Sequence, residues 1–210
     1  MKKIIFCFIF TLLTGFMYAQ NTIVLNPPDL KRGLPVMTAL SLRASATEFD
    51  TAMISLRDLS DLLWASNGIN RPESDKRTAP SAMNAQDIDV YVCMKTGIYL
   101  YDVKNSMLNL IAAGDYRKLV AVQQEFVTKA PVICLLVSDI SRFPHGEESL
   151  KMTWAAEDAG MVSQNISLFC ASAGLSTRPR AYMDQDQLKK IMKLKESQHL
   201  MLNHPVSYKK

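Results

Sequence analysis

Apolar residues recur at helical spacing in several parts of the chain. The longest such pattern covers residues 148–173 and stops before Gly174, a residue typical of helix C-termini. A second pattern follows Ser55, which stands three residues before Asp58 as in a capping box, and it ends at Gly68. Shorter helices are predicted at residues 35–42, 119–129 and 184–193.

The predicted long helix carries two apolar lines. One line advances by alternating steps of three and four residues, a spacing typical of a seam against a partner helix. It consists of Met152, Ala155, Ala159, Val162, Ile166, Phe169 and Ala173. The second line consists of Leu150, Trp154, Met161 and Leu168. A helix with two apolar faces is either central to the monomer or shared with a second subunit, and we expect this one to be both.

Strands are predicted between these helices. Residues 88–94 and 131–138 are nearly continuous apolar runs, which are typical of buried strands. A turn at Lys95-Thr96-Gly97 predicts a return strand at 98–103, and a last strand is predicted at 199–204. Residues 70–78 and 175–182 are expected to be irregular. Because helices and strands are mixed without a strict βαβ rhythm, the sequence favours an α+β fold.

The first 19 residues form a separate segment. Lys2 and Lys3 precede an apolar run at residues 4–13, and Ala19 suits a cleavage site. The run is shorter than the roughly 20 apolar residues of a membrane span, which favours a cleaved secretory signal peptide over a retained anchor. We therefore expect an exported, periplasmic protein without a stable membrane anchor. Residues 20–34 are predicted to be an extended arm and residues 35–210 the folded domain.

The charge balance and the cysteine content argue against several classes of function. Two of the 24 basic residues lie in the predicted signal peptide, which leaves 22 against 20 acidic residues and a net charge of +2. This balance argues against a nucleic-acid partner or an anionic membrane surface. Cys93, Cys134 and Cys170 stand in apolar contexts and are expected to be buried small hydrophobes. No metal site is predicted, since cysteines and histidines do not cluster.

Three polar segments interrupt the apolar elements. They are Arg43-Ala44-Ser45, the sequence PSAMNAQ at residues 80–86, and Lys209-Lys210. The chain contains no G-x-S-x-G, H-E-x-x-H or G-x-G-x-x-G motif. Each polar segment also has a purely structural interpretation: a helix C-terminus for Arg43, a helix start for Pro80-Ser81 and a frayed tail for Lys209-Lys210.

Taken in order, these segments resemble the FMN-dependent nitroreductase family over nearly the whole mature chain. PSAMNAQ matches the family pattern Pro-Ser-x-x-Asn-x-Gln, and residues 43–49 align with its Arg-x-Ser-x-basic-x-Phe segment. Gly174-Leu175, a proline-containing loop and basic C-terminal residues follow in the family's order. In details such as LLWASNGINR the chain most resembles small exported members from gut-type Bacteroidetes. The resemblance implies a nitroreductase-like fold, with a mixed or antiparallel central sheet flanked by helices and a long dimer-interface helix.

The resemblance also implies an FMN site built from two subunits of a homodimer. Arg43, Ser45 and a C-terminal lysine suit the phosphate, because they offer fixed charge and hydroxyl donors. Asn84 both donates and accepts, as the pyrimidine edge of flavin requires. A backbone N–H at residue 181 or 182 is expected to face flavin N5. The predicted cofactor-binding residues are Arg43, Ala44, Ser45, Thr47, Pro80, Ser81, Ala82, Asn84, Ala181, Tyr182, Lys209 and Lys210.

Two positions depart from the family pattern. Thr47 stands where the family usually has Lys or Arg, so either Arg77 or another base replaces that cation, or the reduced flavin anion is less favoured. Ser207 stands where glycine is expected, which leaves open which C-terminal residue contacts the phosphate.

The implied activity is a ping-pong oxidoreductase reaction in which the flavin itself does the chemistry, so no catalytic side chain is predicted. Electrons pass through flavin N5 from NAD(P)H or another small donor to a nitroaromatic or quinone-like acceptor. Export raises a difficulty, because reduced nicotinamides are not expected outside the cytoplasm. The alternatives are a non-catalytic flavin-binding protein, a flavin-dependent dehydrogenase or oxidase of an extracytoplasmic substrate, and a domain that has lost its cofactor.

Overall fold

The computed structural model describes residues 21–210, so the predicted signal peptide lies outside the described residues. The helices are α1 (Val36–Leu42), α2 (Leu56–Asn67), α3 (Arg117–Ala121), α4 (Glu148–Ala173) and α5 (Gln185–Met192). The strands are β1 (Thr22–Val24), β2 (Ile69–Arg71), β3 (Lys76–Arg77), β4 (Ile88–Met94), β5 (Gly97–Asp102), β6 (Met107–Ala113), β7 (Val132–Asp139), β8 (Leu175–Thr177) and β9 (Gln198–Tyr208).

Seven strands form one sheet in the order β1-β6-β5-β4-β7-β9-β8, and β2 and β3 form a separate hairpin. Every neighbouring pair is antiparallel. All eight residues of the central β7 are buried, as its apolar run predicts. Helices α2 and α4 cover one face through residues such as Leu62 and Ile166, while α3 and α5 cover the other through Val120 and Leu188. The predicted α+β class, with an antiparallel central sheet between helices, is confirmed.

Helix α4 has the predicted bounds, and Gly174 ends it in the left-handed conformation at φ 75°. Its three-and-four seam faces the chain's own core: Ala155, Ala159 and Ile166 have no exposed surface. The helix packed against this seam is α2 of the same chain, beside the chain's own sheet. The expected contact of α4 with a second subunit stays a prediction. The second apolar line remains at the surface, where Met161 is 49% exposed. Within the described part of the chain, no helix is long and apolar enough to cross a bilayer.

The helix predicted at 119–129 is interrupted. Helix α3 ends at Ala121, Val122 adopts φ 53°, and a 3₁₀ turn follows at Glu125–Lys129. The guanidinium of Arg180 donates to the carbonyls of Val120 and Ala121, at 3.2 and 3.4 Å. The hydrogen-bond donor of these carbonyls therefore comes from a distant part of the chain. Local periodicity cannot predict such a contact or the break in the helix that accompanies it.

Six strands also differ from the sequence predictions. Strand β6 was not predicted, since most of its side chains are only half-buried and follow no clean alternation. The segments expected to be irregular contain β8 and the β2–β3 hairpin, and the arm contains β1. Strand β9 continues through Pro205 to Tyr208 instead of ending at residue 204; the Pro205 carbonyl accepts from Thr177 Oγ1 at 3.0 Å.

Candidate functional site

A cavity of about 330 Å³ lies at the C-terminal end of α4, where the loop after α1 meets β8 and the chain terminus. The Ala46 N–H donates to the Thr177 carbonyl at 2.9 Å, which fixes this loop against β8. The cavity brings together five of the predicted cofactor-binding residues: Ala44, Ser45, Thr47, Lys209 and Lys210.

The donors of this cavity fit a phosphate group. Lys209 and Lys210 supply positive charge, and the hydroxyls of Ser45 and Thr47 supply donors. Lys210 pairs with Glu48 at 3.0 Å, but both side chains are more than half exposed. A pair of this kind contributes little stability, so an anionic ligand can compete for the ammonium.

Two residues that the sequence associated with this cavity lie elsewhere. Arg43 is the exposed C-cap of α1, next to Ala44 in the chain but not part of the cavity lining. Ser207 is buried and faces the protein: its Oγ accepts from the Asp50 N–H at 3.0 Å and donates to the Tyr208 carbonyl. Of the C-terminal residues, the two lysines are therefore the ones that line the cavity.

The PSAMNAQ loop, residues 80–86, is a strained turn. Met83, Asn84 and Gln86 have φ values of 53°, 53° and 49°, a region that costs free energy for residues other than glycine. Helix α4 holds the loop in place, because the Ala82 N–H donates to both carboxylate oxygens of Asp158, at 3.0 and 2.9 Å. Pro80 and Asn84 are exposed, and Ser81 and Ala82 are half-buried. Strain that persists in an exposed polar loop is typical of binding sites.

Within one chain the PSAMNAQ loop and the cavity are far apart. Asp158, which holds the loop, and Cys170, which lines the cavity, lie on the same helix. Twelve residues of α helix separate them, which corresponds to roughly 18 Å. One chain therefore does not combine the two groups of predicted residues into a single compact pocket.

The predicted flavin-facing loop lies beside β9. Ala181 and Tyr182 are exposed, and neither of their N–H groups donates among the hydrogen bonds of residues 21–210. Arg180 anchors this loop: it exchanges backbone hydrogen bonds with Asn203 at 2.9 and 2.6 Å. Arg180 is 7% exposed, and its guanidinium donates to Asn203 Oδ1 and Gln124 Oε1. Burial lowers the pKa of Arg180.

The same loop is tied to the segment that begins at Arg43. The rings of Phe49 and Phe126 stack with centroids 6.1 Å apart, and the Arg178 guanidinium lies 6.0 Å from the Phe126 centroid. We call residues 43–49, 178–182 and 209–210 the cationic half of the candidate site. The PSAMNAQ loop is the other half.

Arg77, the proposed substitute for a cation at Thr47, lies on the PSAMNAQ side. It donates to the Ile88 carbonyl at 3.3 Å, and its Nε is buried without a partner among the described residues. Burial lowers its pKa, and the neighbouring Asp89 opposes this effect. Within one chain it does not replace a cation beside Thr47.

Sequence patterns did not identify Asp87, Asp158 and Arg180. Asp158 interrupts an apolar region of α4 next to the seam residue Ala159, and this charged position is the signal that could have identified it. Arg180 has no comparable signal, because its partners are distant in the chain.

The cysteine thiols and the imidazole of His204 in the described part of the chain are buried. Burial raises the pKa of the Cys93 and Cys134 thiols to about 12. All three described cysteines are free and buried, as predicted. Burial also lowers the pKa of His204, which contacts Ser163 Oγ at 2.8 Å, to about 3. Residues 21–210 contain no group of three or more His, Cys, Asp or Glu side chains suited to a metal ion.

The antiparallel sheet, the long helix α4 and the order of the polar loops along the chain define the nitroreductase-like class of fold. The model of the nitroreductase family matches residues 40–208, and the chain belongs to the nitroreductase family. The predicted family and fold are thereby confirmed.

The chain is similar to several known proteins. A crystal structure from Ralstonia eutropha JMP134, described as a nitroreductase, superimposes with a TM-score of 0.84 at 36% identity, over 91% of each chain. A curated relative from Methanocaldococcus jannaschii, named as a nitroreductase, is 25% identical over 191 residues, or 87% of this chain and 96% of the relative. The Vibrio harveyi NADPH:FMN oxidoreductase in complex with NAD⁺ shares the fold, with a TM-score of 0.63 at 14% identity over 82% and 68% of the chains.

Proposed function

We propose that the protein is an FMN-dependent oxidoreductase whose FMN lies between two copies of the chain. The observation that carries this proposal is the separation of the two halves along α4, since a second copy can bring its PSAMNAQ loop to the cationic half of the first. Membership of the nitroreductase family supports an oxidoreductase, and the Vibrio harveyi neighbour is by name an FMN oxidoreductase.

The residues of the two halves fit the chemical groups of FMN. Lys209, Lys210 and Ser45 hold the phosphate by charge and hydrogen bonds. The exposed Asn84 of the partner chain pairs with the pyrimidine edge, and the N–H groups at Ala181 and Tyr182 orient the ring near N5. Bound FMN supplies two-electron chemistry at N5, and the protein binds it, orients it and excludes water.

An exposed apolar surface supports a homodimer. Helix α1 lies on α4, and only Ala39 among its residues is buried. Val36 and Met37 are 63% and 74% exposed, and Met161 on α4 is 49% exposed. Several large apolar side chains exposed on neighbouring helices are typical of protein–protein contacts. The surface line of α4, rather than its buried seam, therefore belongs to the proposed interface.

We further propose that NAD(P)H or another small donor reduces the protein, and that a nitroaromatic or quinone-like compound reoxidises it. The N-terminal sequence pattern supports export to the periplasm after removal of residues 1–19. In that compartment a donor other than a nicotinamide is the expected physiological partner.

The absorbance spectrum of the purified protein tests this function. We expect a flavin spectrum that bleaches when NADH, NADPH or dithionite is added without air and returns with a quinone. Bleaching with dithionite alone points to a different donor, and a colourless protein that does not bind added FMN contradicts the proposal. Asn84→Ala should weaken FMN binding, whereas the matched variant Asn105→Ala, in the turn between β5 and β6, should not.

A further inference from the structure

Two buried carboxyl groups lie directly behind the PSAMNAQ loop. Asp87 follows the loop and has no exposed surface, and Asp158 on α4 is 5% exposed. The two carboxyl groups are neighbours, and Asp158 contributes to raising the pKa of Asp87. Asp158 at the same time accepts the Ala82 N–H with both of its oxygens. The loop is therefore connected to Asp87 through Asp158.

The environment of Asp87 does not suit a carboxylate anion. Its Oδ2 accepts from Ser138 Oγ at 2.5 Å, but its Oδ1 is buried and accepts from no donor among the described residues. Burial, and then contact with Asp158, raise the pKa of Asp87 to about 7. Two adjacent buried carboxyl groups cannot both ionise without a large cost, so one proton is retained by the pair.

Neighbouring cations do not neutralise the pair. Arg77 on β3 and Arg142 after β7 are close enough to interact electrostatically with Asp87. Arg142 is engaged in a salt bridge with Asp89, and Arg77 donates to the Ile88 carbonyl. None of the salt bridges within residues 21–210 includes Asp87 or Asp158.

We propose that Asp87 and Asp158 position the PSAMNAQ loop for FMN by sharing one proton, an inference that rests on the proposed function. In the protonated pair, Asp87 donates to Asp158, and Asp158 holds the Ala82 N–H. When the proton leaves, the two charges repel each other and the contact with Ala82 weakens. The positive φ values of Met83, Asn84 and Gln86 are then no longer stabilised. Both acids are positioning residues, and FMN affinity falls as the pair ionises.

The dissociation constant for FMN, measured by quenching of flavin fluorescence between pH 5.5 and 8.5, tests the proposal. In the wild-type protein, FMN binding should weaken on the order of tenfold across this range relative to Asp87→Asn. The side-chain amide introduced by Asp87→Asn donates at every pH, and the titration of the FMN phosphate is common to both proteins. Ser138→Ala removes a hydrogen bond that stabilises the Asp87 carboxylate. The pH at which FMN binding weakens should therefore be higher in this variant than in the wild-type protein. Parallel pH profiles for the three proteins would overturn the proposal.

Infrared spectroscopy of the full mature protein provides a readout that does not depend on FMN. The carbonyl stretch of a protonated buried carboxylic acid should be present at pH 6, lost by pH 8.5 and missing from Asp87→Asn. Its absence from the wild-type protein at pH 6 overturns the shared proton. Wild-type protein that shows the band but binds no FMN at any pH instead overturns the proposed function, and with it the role of the pair in positioning a flavin loop.

Discussion

The guanidinium of Arg180 donates to Asn203 Oδ1 at 2.7 Å, and the two residues also exchange backbone hydrogen bonds. This contact fixes the loop at Ala181 and Tyr182 to β9, the strand that ends in the cationic half. The other partners of the guanidinium are neutral as well: the Gln124 side chain and the carbonyls of α3. Arg180 is thus a buried cation that organises three segments through hydrogen bonds.

Arg180→Met should destabilise the protein by about 2–4 kcal/mol, because several buried acceptors lose their donor. It should also slow reduction of bound flavin, since the loop at residues 181–182 loses its anchor. Urea denaturation and anaerobic stopped-flow kinetics measure the two effects. Arg178→Met is the matched control: its contact with Phe126 is a cation–π interaction, and we expect a loss of less than about 1 kcal/mol. Equal losses for the two variants would refute the assigned role.

Asp87→Asn should change how stability depends on pH. Because the folded-state pKa of Asp87 is raised from 3.8 to about 7, its stabilising contribution is fully present below pH 3.8 and is lost as pH rises to about 7. The variant does not suffer this loss, so its advantage in free energy of unfolding should grow from pH 4 to 7, by on the order of 1–3 kcal/mol, and then stay constant.

Asp102→Asn provides a control of opposite sign. Hydrogen bonds from Asn105 and Lys104 lower the pKa of Asp102, so its contribution is present above pH 3.8 and lost in acid. This variant should be less stable than wild type at pH 7 and similar to it at low pH. Urea denaturation series at several pH values measure both variants, and the same sign for both would contradict the assignment.

His204 should remain neutral throughout the physiological range. Burial lowers its pKa from 6.5 to about 3, so its neutral form stabilises the fold above pH 6.5 and this contribution is lost as pH falls towards 3. In NMR spectra the ring resonances of His204 should not shift between pH 8 and 5. A midpoint near pH 6.5 would show that the ring is accessible to water.

Met37→Asp should dissociate the proposed dimer. The Met37 side chain is 74% exposed on α1, and a carboxylate there would be desolvated in an apolar interface. Sedimentation velocity should show a monomer with reduced FMN content. Val24→Asp, at a side chain that is 67% exposed on β1, should leave the dimer unchanged. A dimer that tolerates Met37→Asp would place the interface on a different surface.

Local signals were sufficient for many helix and strand boundaries. The Ser55 Oγ accepts from the Asp58 N–H, and Gly68 and Gly174 end their helices, as the sequence predicts. Long-range contacts were not predictable in this way. The break at Val122 depends on Arg180, and the half-buried β6 becomes a strand through its partner strands.

The candidate site was likewise predictable from the sequence only in part. The motif residues were identified by resemblance, and the structure brings Ser45, Thr47, Lys209 and Lys210 to one cavity. The resemblance implied a site built from two subunits, whereas local patterns gave no distance between this cavity and PSAMNAQ within one chain, because that distance depends on topology. Asp87 and Asp158 are brought together only by packing α4 against the sheet, although they are 71 positions apart in the chain.

Subunit complementation tests the central claim, an FMN site shared between two chains, most directly. One variant carries Asn84→Ala in the PSAMNAQ half, and the other carries Lys209→Glu with Lys210→Glu in the cationic half; each alone should bind little FMN. After the two are unfolded, mixed in equal amounts and refolded, half of the dimers are mixed, and each mixed dimer has one intact site and one doubly altered site. We predict recovery of FMN binding to about a quarter of the wild-type sites. If no binding returns in mixed dimers, both halves act within one chain and the account is contradicted.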